Sequence, residues 1–173
     1  YLEPIERITV QEFLDSNVGK EFMQTKHLLI EPLHLPALYD KKMENLSGGE
    51  LQRVAIAAGL GKDVPLILLD EPSAHLDVEQ RLQVAKTIRN LADTQKRTIL
   101  VVDHDLLFMD YVSDRLLLFE GTPGFEGNVR GPLSMEEGMN GLLSQLGITL
   151  RRDQDSRRPR INKPGSVKDV KQK

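Results

Sequence analysis

The amino-acid sequence predicts an α/β fold organised around a parallel sheet. Two short apolar runs, residues 66–69 (LILL) and 98–102 (TILVV), each stop at acidic residues, and an amphipathic stretch over residues 78–92 separates them. A strand, a helix and a second strand in this order are typical of a βαβ unit, whose two strands run parallel. We expect residues 115–119 to add a third strand to the same sheet.

Composition places the chain among globular proteins. Of its 173 residues, 39% are hydrophobic and 28% are charged, which excludes collagen-like and wholly disordered chains. No apolar run approaches the ~20 residues that span a bilayer, and the first residues (YLEP) lack the pattern of a secretory signal. We therefore expect a cytoplasmic protein with no membrane partner. The absence of cysteine excludes a disulfide framework, a thiolate zinc site or an iron–sulfur cluster held by this chain.

Charge is distributed unevenly along the sequence. The net charge is -3, yet residues 151–173 carry nine Lys and Arg against three Asp. A basic segment on an acidic body indicates an anionic partner, either nucleic acid or the body itself, and the alternative is a solvated extension. Because this segment has no aromatic residue, any RNA contact is expected to be to the phosphate backbone.

Helices are predicted for the first sixty residues. Residues 9–12 (TVQE) have the form of a capping box, and residues 21–29 form a second helical stretch before the prolines within residues 32–36. Residues 47–50 (SGGE) repeat the capping-box pattern, so we expect a helix that starts at Ser47 and continues to about Leu60.

The later elements follow from periodicity and turn residues. Apolar residues at helical spacing after Val78 predict an amphipathic helix; they are Leu82, Ala85, Ile88 and Leu91. A short helix over residues 106–112, a turn-rich stretch over residues 120–124 and a capping box at residues 134–137 (SMEE) come next. The last of these predicts a helix that reaches about Leu146.

Polar side chains gather where the first two predicted strands end. Asp70 and Glu71 follow the first strand, as in the second phosphate-site motif of nucleotide hydrolases, and residues 103–105 (DHD) follow the second. Because adjacent side chains at a strand end point in different directions, Asp70 is a candidate magnesium ligand and Glu71 a candidate for polarising water. An acidic turn fixed by Pro72 is the alternative.

The glycine pair after Ser47 needs a physical reason. Each glycine in a helix costs about 1 kcal/mol relative to alanine. Backbone N–H groups without a Cβ atom nearby can approach a phosphate closely, and the helix dipole favours its negative charge. Residues 47–50 are therefore a candidate anion receptor with Ser47 as hydroxyl donor, and an ordinary helix start is the alternative.

Four motifs in order resemble those of an ABC-type ATPase. Residues 46–53 (LSGGELQR), 66–72 (LILLDEP) and 73–77 (SAHLD), followed by His104, resemble its signature motif, Walker B motif, D-loop and switch histidine. Residues 76–82 (LDVEQRL), 110–115 (DYVSDR), 138–140 (GMN) and 148–173, with RRD, RPRINK and SVKDVKQK, resemble more particularly the ABC-E family of ribosome-recycling ATPases, also called RNase L inhibitors.

The resemblance implies a P-loop NTPase of the RecA-like type, an ABC nucleotide-binding domain with a parallel sheet, a helical signature subdomain and a C-terminal hinge extension. One departure is important, because the sequence contains no G-x-x-x-x-G-K-[ST]. We therefore expect the C-terminal part of the second nucleotide-binding domain, with the P-loop half missing and no activity in isolation. The expected division is a helical subdomain portion (1–64), the second half of the RecA-like core (65–131), and a helix with a basic hinge tail (132–173).

Roles carry over where residues match the motifs. In ABC ATPases two nucleotide-binding domains close head to tail on two ATP molecules, so the signature would contact nucleotide held by the other domain. Those residues are Ser47, Gly48, Gly49 and Glu50. In its own domain, Glu71 would be the general base, Asp70 the magnesium partner and His104 a contact to the γ-phosphate. The D-loop residues Ser73, His75 and Asp77 would lie at the domain seam.

The basic end resembles the family's second hinge, which packs along the crevice between the two domains. Its arginines suit bidentate contacts with carboxylates or phosphates, so they would pin the domains together or touch ribosomal RNA. They are Arg151, Arg152, Arg157, Arg158 and Arg160.

The implied function is ATP-driven ribosome splitting and recycling, with ATP and Mg²⁺ as cofactors. The implied partners are the first nucleotide-binding domain of the parent polypeptide, the small ribosomal subunit with its RNA, and a release or recycling factor. The resemblance also implies an iron–sulfur cluster in the missing N-terminal part of the parent protein. Two alternatives stay open: a non-hydrolysing module that docks on the partner domain or RNA, and an ATPase subunit of a transporter or a Rad50-like repair complex.

Overall fold

A computed structural model describes residues 7–18, 27–122, 124–145, 150–152, 159–162, 165–167 and 170. Side chains are described for these residues except 145, 150–152 and 159–161. The chain divides into two compact units, Tyr1–Val112 and Ser113–Lys173, each taken by itself below.

The first unit begins with helix α1, Val10–Asn17. Thr9 and Glu12 form the predicted capping box, and Val10 and Leu14, one helical turn apart, are buried. Of the second predicted helix, residues 27–29 are helical and residues 21–26 lie outside the described part of the chain. Two short 3₁₀ turns, Pro36–Leu38 and Met43–Asn45, then lead to the next helix.

Helix α2 spans Gly48–Leu60 and starts where the sequence predicts, with Ser47 as its N-cap. Its buried side chains are Val54, Ile56, Ala57, Ala58 and Leu60. They pack in one apolar core with leucines of the preceding segment, of which Leu29, Leu33 and Leu35 are fully buried. This packing fixes α2, and so the position of its N-terminus.

The predicted βαβ unit is confirmed. Strands β1 (Leu66–Asp70) and β2 (Thr98–Val102) pair in parallel, and helix α3 (Val78–Gln95) connects them. Helix α4, Leu106–Val112, follows β2 as expected. Within α3, Ala85, Ile88 and Leu91 are buried as predicted, whereas Leu82 is 46% exposed and Val84 takes its place in the core.

Strands β1 and β2 are covered on one face only. Ile67 and Leu69 face the core at 4% and 9% exposure, because α2 and α3 cover that side. The alternate side chains form an uncovered apolar face: Leu66 and Leu68 of β1, with Leu100 and Val102 of β2, are 39–67% exposed. The register places Leu68 beside Leu100, so this face is continuous.

In the second unit, the prediction of a third parallel strand is wrong. Strand β3, Leu116–Thr122, pairs antiparallel with strand β4, Glu126–Leu133. The stretch assigned to turns, residues 120–124, instead contains the end of β3. β4 was not predicted, because its sequence (EGNVRGPL) is polar and rich in Gly and Pro and lacks the apolar alternation of a strand.

Helix α5, Met135–Gln145, begins at the predicted capping box, in which Ser134 and Glu137 bond reciprocally. Gly138 lets this helix approach β3 closely, since a Cβ atom there would lie 2.6 Å from a side-chain carbon of Leu116. Strands β5 (Leu150–Arg152) and β6 (Pro159–Ile161) form a short antiparallel pair in the basic segment, for which the sequence predicted no strand.

Candidate functional site

The ends of β1 and β2 bring two predicted site residues into contact. Glu71 follows β1 and His104 lies just beyond β2; Nε2 of His104 is 3.0 Å from Oε1 of Glu71. The His104 side chain is 86% exposed and the Glu71 side chain is 53% exposed, so a ligand can reach both. A carboxylate beside an imidazole can accept a proton from water while the imidazole donates to an anion.

The backbone of Glu71 is held in an unusual conformation. Its φ of 46° lies in the left-handed region, which costs a non-glycine residue about 1 kcal/mol or more. The Glu71 N–H donates to the carbonyl of Val102 at 2.7 Å, and the Glu71 carbonyl accepts from Nε2 of Gln52 at 3.0 Å. Glu71 is therefore fixed by β2 on one side and by α2 on the other.

Asp70 is the last residue of β1 and is exposed beside Glu71. Among the residues that the structure describes, no group of three or more His, Cys, Asp and Glu side chains is arranged to hold a metal ion. Asp70 can thus supply a carboxylate oxygen to a hard cation such as Mg²⁺, whose other ligands must come from the nucleotide, water or residues outside the described set.

At the N-terminus of α2, Ser47 and Glu50 form the predicted capping box. The Ser47 hydroxyl donates to Oε2 of Glu50 at 3.0 Å, and the Ser47 N–H donates to the same oxygen at 2.9 Å. Nζ of Lys41 is 2.8 Å from Oε1 of Glu50. The Lys41 hydrogen bond, followed by that from the Ser47 backbone, lowers the pKa of Glu50 from 4.5 to about 2.

These contacts limit how the predicted anion receptor can bind a phosphate. The Ser47 hydroxyl is already donating to Glu50, so it must turn away from that carboxylate to donate to a phosphate. Glu50 itself carries negative charge that would repel a phosphate, and Lys41 offsets that charge. Lys41 was not identified from the sequence, because nine residues and a 3₁₀ turn separate it from Glu50.

Gly48 and Gly49 pack against residues 73–77, called loop 73–77 below. A Cβ atom at Gly49 would lie 2.9 Å from the backbone oxygen of His75, and one at Gly48 would lie 3.3 Å from the His75 ring. The close approach of this loop therefore explains, within the chain itself, why residues 48 and 49 are glycines. The phosphate contact inferred from the sequence would be a second reason.

Loop 73–77 is ordered by its own contacts. His75 has a φ of 60° and is exposed, and Asp77 caps α3 by accepting from the Gln80 N–H at 2.8 Å. Ser73 is only 6% exposed. Its hydroxyl donates to Oδ1 of Asp103 at 2.7 Å, and its N–H donates to Oδ2 at 2.9 Å.

Sequence reasoning gave no role to three polar residues that contact this site: Gln52, Arg81 and Asp103. Arg81 forms an ion pair with Asp105 at 3.0 Å and donates from Nε to the Leu76 carbonyl at 3.0 Å. Each of the three contacts a partner 19 to 30 residues away in the chain. Their proximity to the motifs was visible in the sequence, but their partners were not.

Three of the five predicted arginines lie in β5 and β6. The backbones of Arg151 and Arg152 belong to β5 and that of Arg160 to β6, with Arg151 paired to Arg160 in the register. Arg157 and Arg158 lie outside the described residues. Over the described part of the chain, no helix combines the length and apolar character needed to cross a membrane.

Known proteins match this chain both as a family profile and as individual sequences. Residues 3–74 match the profile of the ABC transporter family. An uncharacterised ABC transporter ATP-binding protein of Methanocaldococcus jannaschii is 49% identical over 173 residues, which is 100% of this chain and 29% of that protein. The translation initiation factor RLI1 of Saccharomyces cerevisiae is 40% identical over 167 residues, which is 95% of this chain and 28% of that protein.

A solved structure extends the likeness to the fold. The archaeal ribosome recycling factor aABCE1, in complex with the archaeal ribosomal stalk protein aP1, is 52% identical and matches with a TM-score of 0.85 over 99% of this chain. The match covers 34% of the aABCE1 chain. This chain therefore spans about a third or less of the longer proteins that it resembles.

Proposed function

We propose that this chain, which belongs to the RNase L inhibitor family of ABC ATPases, is part of an ATPase that splits and recycles ribosomes. The chain matches one part of the longer members of that family. Its fold is that of an ABC nucleotide-binding domain, α/β with a parallel sheet. The contact between Glu71 and His104 at the strand ends is the observation that carries the proposal, because it joins a water-polarising carboxylate to a phosphate-binding imidazole.

The chain corresponds, in this proposal, to the C-terminal part of the second nucleotide-binding domain, without its P-loop. Two observations support this. The sequence has Gly-Lys only at residues 19–20 and 61–62, neither followed by Ser or Thr. Four neighbouring apolar side chains of β1 and β2 are exposed on one face, and a P-loop half packed against that face would cover them. The division at residues 64 and 131 belongs to the same proposal.

Hydrolysis is assigned to the residues at the strand ends. Glu71 accepts a proton from the attacking water, and its fixed backbone keeps the carboxylate in one place. His104 donates to a γ-phosphate oxygen. Asp70 supplies a carboxylate to Mg²⁺, which when bound neutralises charge on the nucleotide phosphates. Alone, the chain should not turn over ATP, because P-loop amides and the P-loop Lys supply most of the phosphate binding.

The N-terminus of α2 acts on nucleotide held by the other domain. Its N–H groups, those of Gly48 and Gly49 among them, and its dipole attract the phosphate, and Ser47 supplies a hydroxyl. Glu50 holds Ser47 in place and, with Lys41, keeps the helix start ordered. Ser73, His75 and Asp77 lie at the domain seam in this proposal.

The proposed partners are the first nucleotide-binding domain of the parent polypeptide, the small ribosomal subunit with its RNA, and a release or recycling factor. The complex of aABCE1 with a stalk protein supports a ribosomal setting. The arginines of the basic segment pack on the partner domain or contact RNA phosphates. Any iron–sulfur cluster of the parent protein must be held elsewhere, because this chain has no cysteine.

A complementation experiment tests the proposal. The chain is combined with the P-loop-bearing remainder of the ATPase, and ATP hydrolysis is measured for each part and for the mixture. We expect two inactive parts and an active mixture. A folded complex that binds ATP without hydrolysing it would instead favour a docking module, for which the absence of a P-loop is the specific support.

A further inference from the structure

The carboxylate of Asp103 joins two loops of the proposed catalytic site. It accepts from the N–H of Ser73 at 2.9 Å and from the Ser73 hydroxyl at 2.7 Å. Its Oδ1 atom also accepts from the N–H of Asp105 at 2.8 Å. Asp103 therefore connects loop 73–77 with residues 103–105, called segment 103–105 below, although 30 residues separate Ser73 from Asp103.

A second connection runs in parallel with the first. Nη1 of Arg81 lies 3.0 Å from Oδ2 of Asp105, and Nε of Arg81 donates to the Leu76 carbonyl at 3.0 Å. The other oxygen of Asp105 accepts from the N–H groups of Leu107 and Phe108, at 2.9 and 3.1 Å. Arg81 thus ties loop 73–77 to segment 103–105 and to the start of α4.

These connections are stiff for chemical reasons. A carboxylate accepts only, so each of the three bonds to Asp103 requires a donor aimed at it, and charge-assisted bonds of this length are stronger than neutral ones. Ser73 is 6% exposed, so water cannot readily replace a lost carboxylate partner. A displacement of about 1 Å of either loop would break both Ser73 bonds by geometry alone.

The position of the connections matters for the site. Glu71 lies two residues before loop 73–77, Asp77 is the last residue of that loop, and His104 lies in the middle of segment 103–105. We propose that Asp103 is a positioning residue which, with the Arg81–Asp105 pair, makes loop 73–77 and segment 103–105 move as one unit, so that a shift at Asp77 reaches His104. The effect on catalysis rests on the proposed function, whereas the coupling of the two segments does not.

Amide hydrogen exchange by NMR on the full chain tests the coupling. The variants are Asp103→Asn, Ser73→Ala and their combination, and the matched control is Asp93→Asn, which changes an exposed carboxylate that pairs with Arg89 along α3. We expect Asp103→Asn to speed exchange at the Ser73 amide and Ser73→Ala to speed it at the Asp105 amide, each about tenfold. In the double variant, exchange at these amides should be no faster than in the faster of the two single variants.

Reciprocity distinguishes coupling from local support. The proposal would be overturned if exchange changed only in the segment that carries the substitution. It would also be overturned if the effects of the two single variants on exchange added up in the double variant. If Asp103→Asn does not fold, Arg81→Met tests the second connection: faster exchange in both segments supports coupling, and exchange confined to α3 contradicts it.

Turnover separates this inference from the proposed function. In the complemented ATPase, Asp103→Asn should lower kcat at unchanged KM, because a positioning residue does not touch nucleotide. Reciprocal exchange together with an inactive wild-type complex would leave the coupling intact and refute the proposed activity. An active complex with an unchanged kcat for Asp103→Asn would refute the catalytic part of this inference alone.

Discussion

Gln52 of helix α2 holds the backbone of Glu71: its Nε2 donates to the Glu71 carbonyl at 3.0 Å. Glu71 has a left-handed φ of 46°, and its side chain contacts His104. A backbone conformation of this kind persists only when its surroundings determine it, and Gln52 is one of those surroundings. The start of α2 and the proposed general base are therefore linked within one chain.

Replacing Gln52 by alanine tests that link. We expect Gln52→Ala to lower the free energy of unfolding by about 1 kcal/mol, because the Glu71 carbonyl loses a hydrogen-bond partner and the left-handed backbone of Glu71 loses a support. Denaturant unfolding measures the change, and Gln11→Ala, on the exposed face of α1, is the matched control at under about 0.5 kcal/mol. Equal effects of the two substitutions would count against the link.

Gly49 and Gly59 of α2 offer a matched pair of substitutions. A Cβ atom at Gly49 would lie 2.9 Å from the His75 carbonyl oxygen, whereas at Gly59 the nearest atom is 3.9 Å away. We expect Gly59→Ala to stabilise the helix by up to about 1 kcal/mol and Gly49→Ala to destabilise the protein, because the clash outweighs helix propensity. Thermal unfolding of both variants checks the opposite signs; stabilisation by Gly49→Ala contradicts the close packing.

The two capping boxes at Ser47 and Ser134 separate stability from function. Both hydroxyls bond a glutamate three residues on, so Ser47→Ala and Ser134→Ala should each cost about 1 kcal/mol of stability. Only Ser47→Ala should also reduce ATP hydrolysis by the complemented ATPase. Equal turnover by the two variants would mean that Ser47 serves the helix alone.

Lys41 and Glu50 set a pH dependence. The pKa of Glu50 is lowered to about 2, so its stabilising contribution is complete above pH 4.5 and is lost as the pH falls through about 2. Lys41→Met should raise the pKa of Glu50 toward 4.5 and move this loss to higher pH. Carbon-13 NMR of the Glu50 carboxyl carbon measures the pKa, with Lys42→Met as control, because Lys42 pairs with Glu44 instead. An unmoved pKa in Lys41→Met would refute the assignment.

Local rules account for the elements that the sequence predicted correctly. The three capping boxes at Thr9, Ser47 and Ser134 each start a helix at the expected residue, because both partners lie within one turn. β1 and β2 were recognisable as short apolar runs. In contrast, strand β4 has no apolar alternation, and its pairing with β3 depends on tertiary structure.

The same limit applies to the site. Asp70 and Glu71 are candidates because they stand at the end of a predicted strand, and His104 is a candidate through the resemblance to ABC-type ATPases. Asp103 stands at such an end too, but its partner Ser73 is 30 residues away, so its two bonds could not be read from the sequence. Lys41 and Arg81 were missed for the same reason, since long side chains reach partners that periodicity does not reveal.

Single-turnover hydrolysis shows whether Glu71 is the general base of an ATPase site that other residues complete. Wild-type chain, Glu71→Gln and the exposed control Glu31→Gln are each combined with the P-loop-bearing part and mixed with ATP. We expect hydrolysis by the wild type and the control, and ATP binding with turnover at least about 100-fold slower for Glu71→Gln. Undiminished hydrolysis by Glu71→Gln would contradict it.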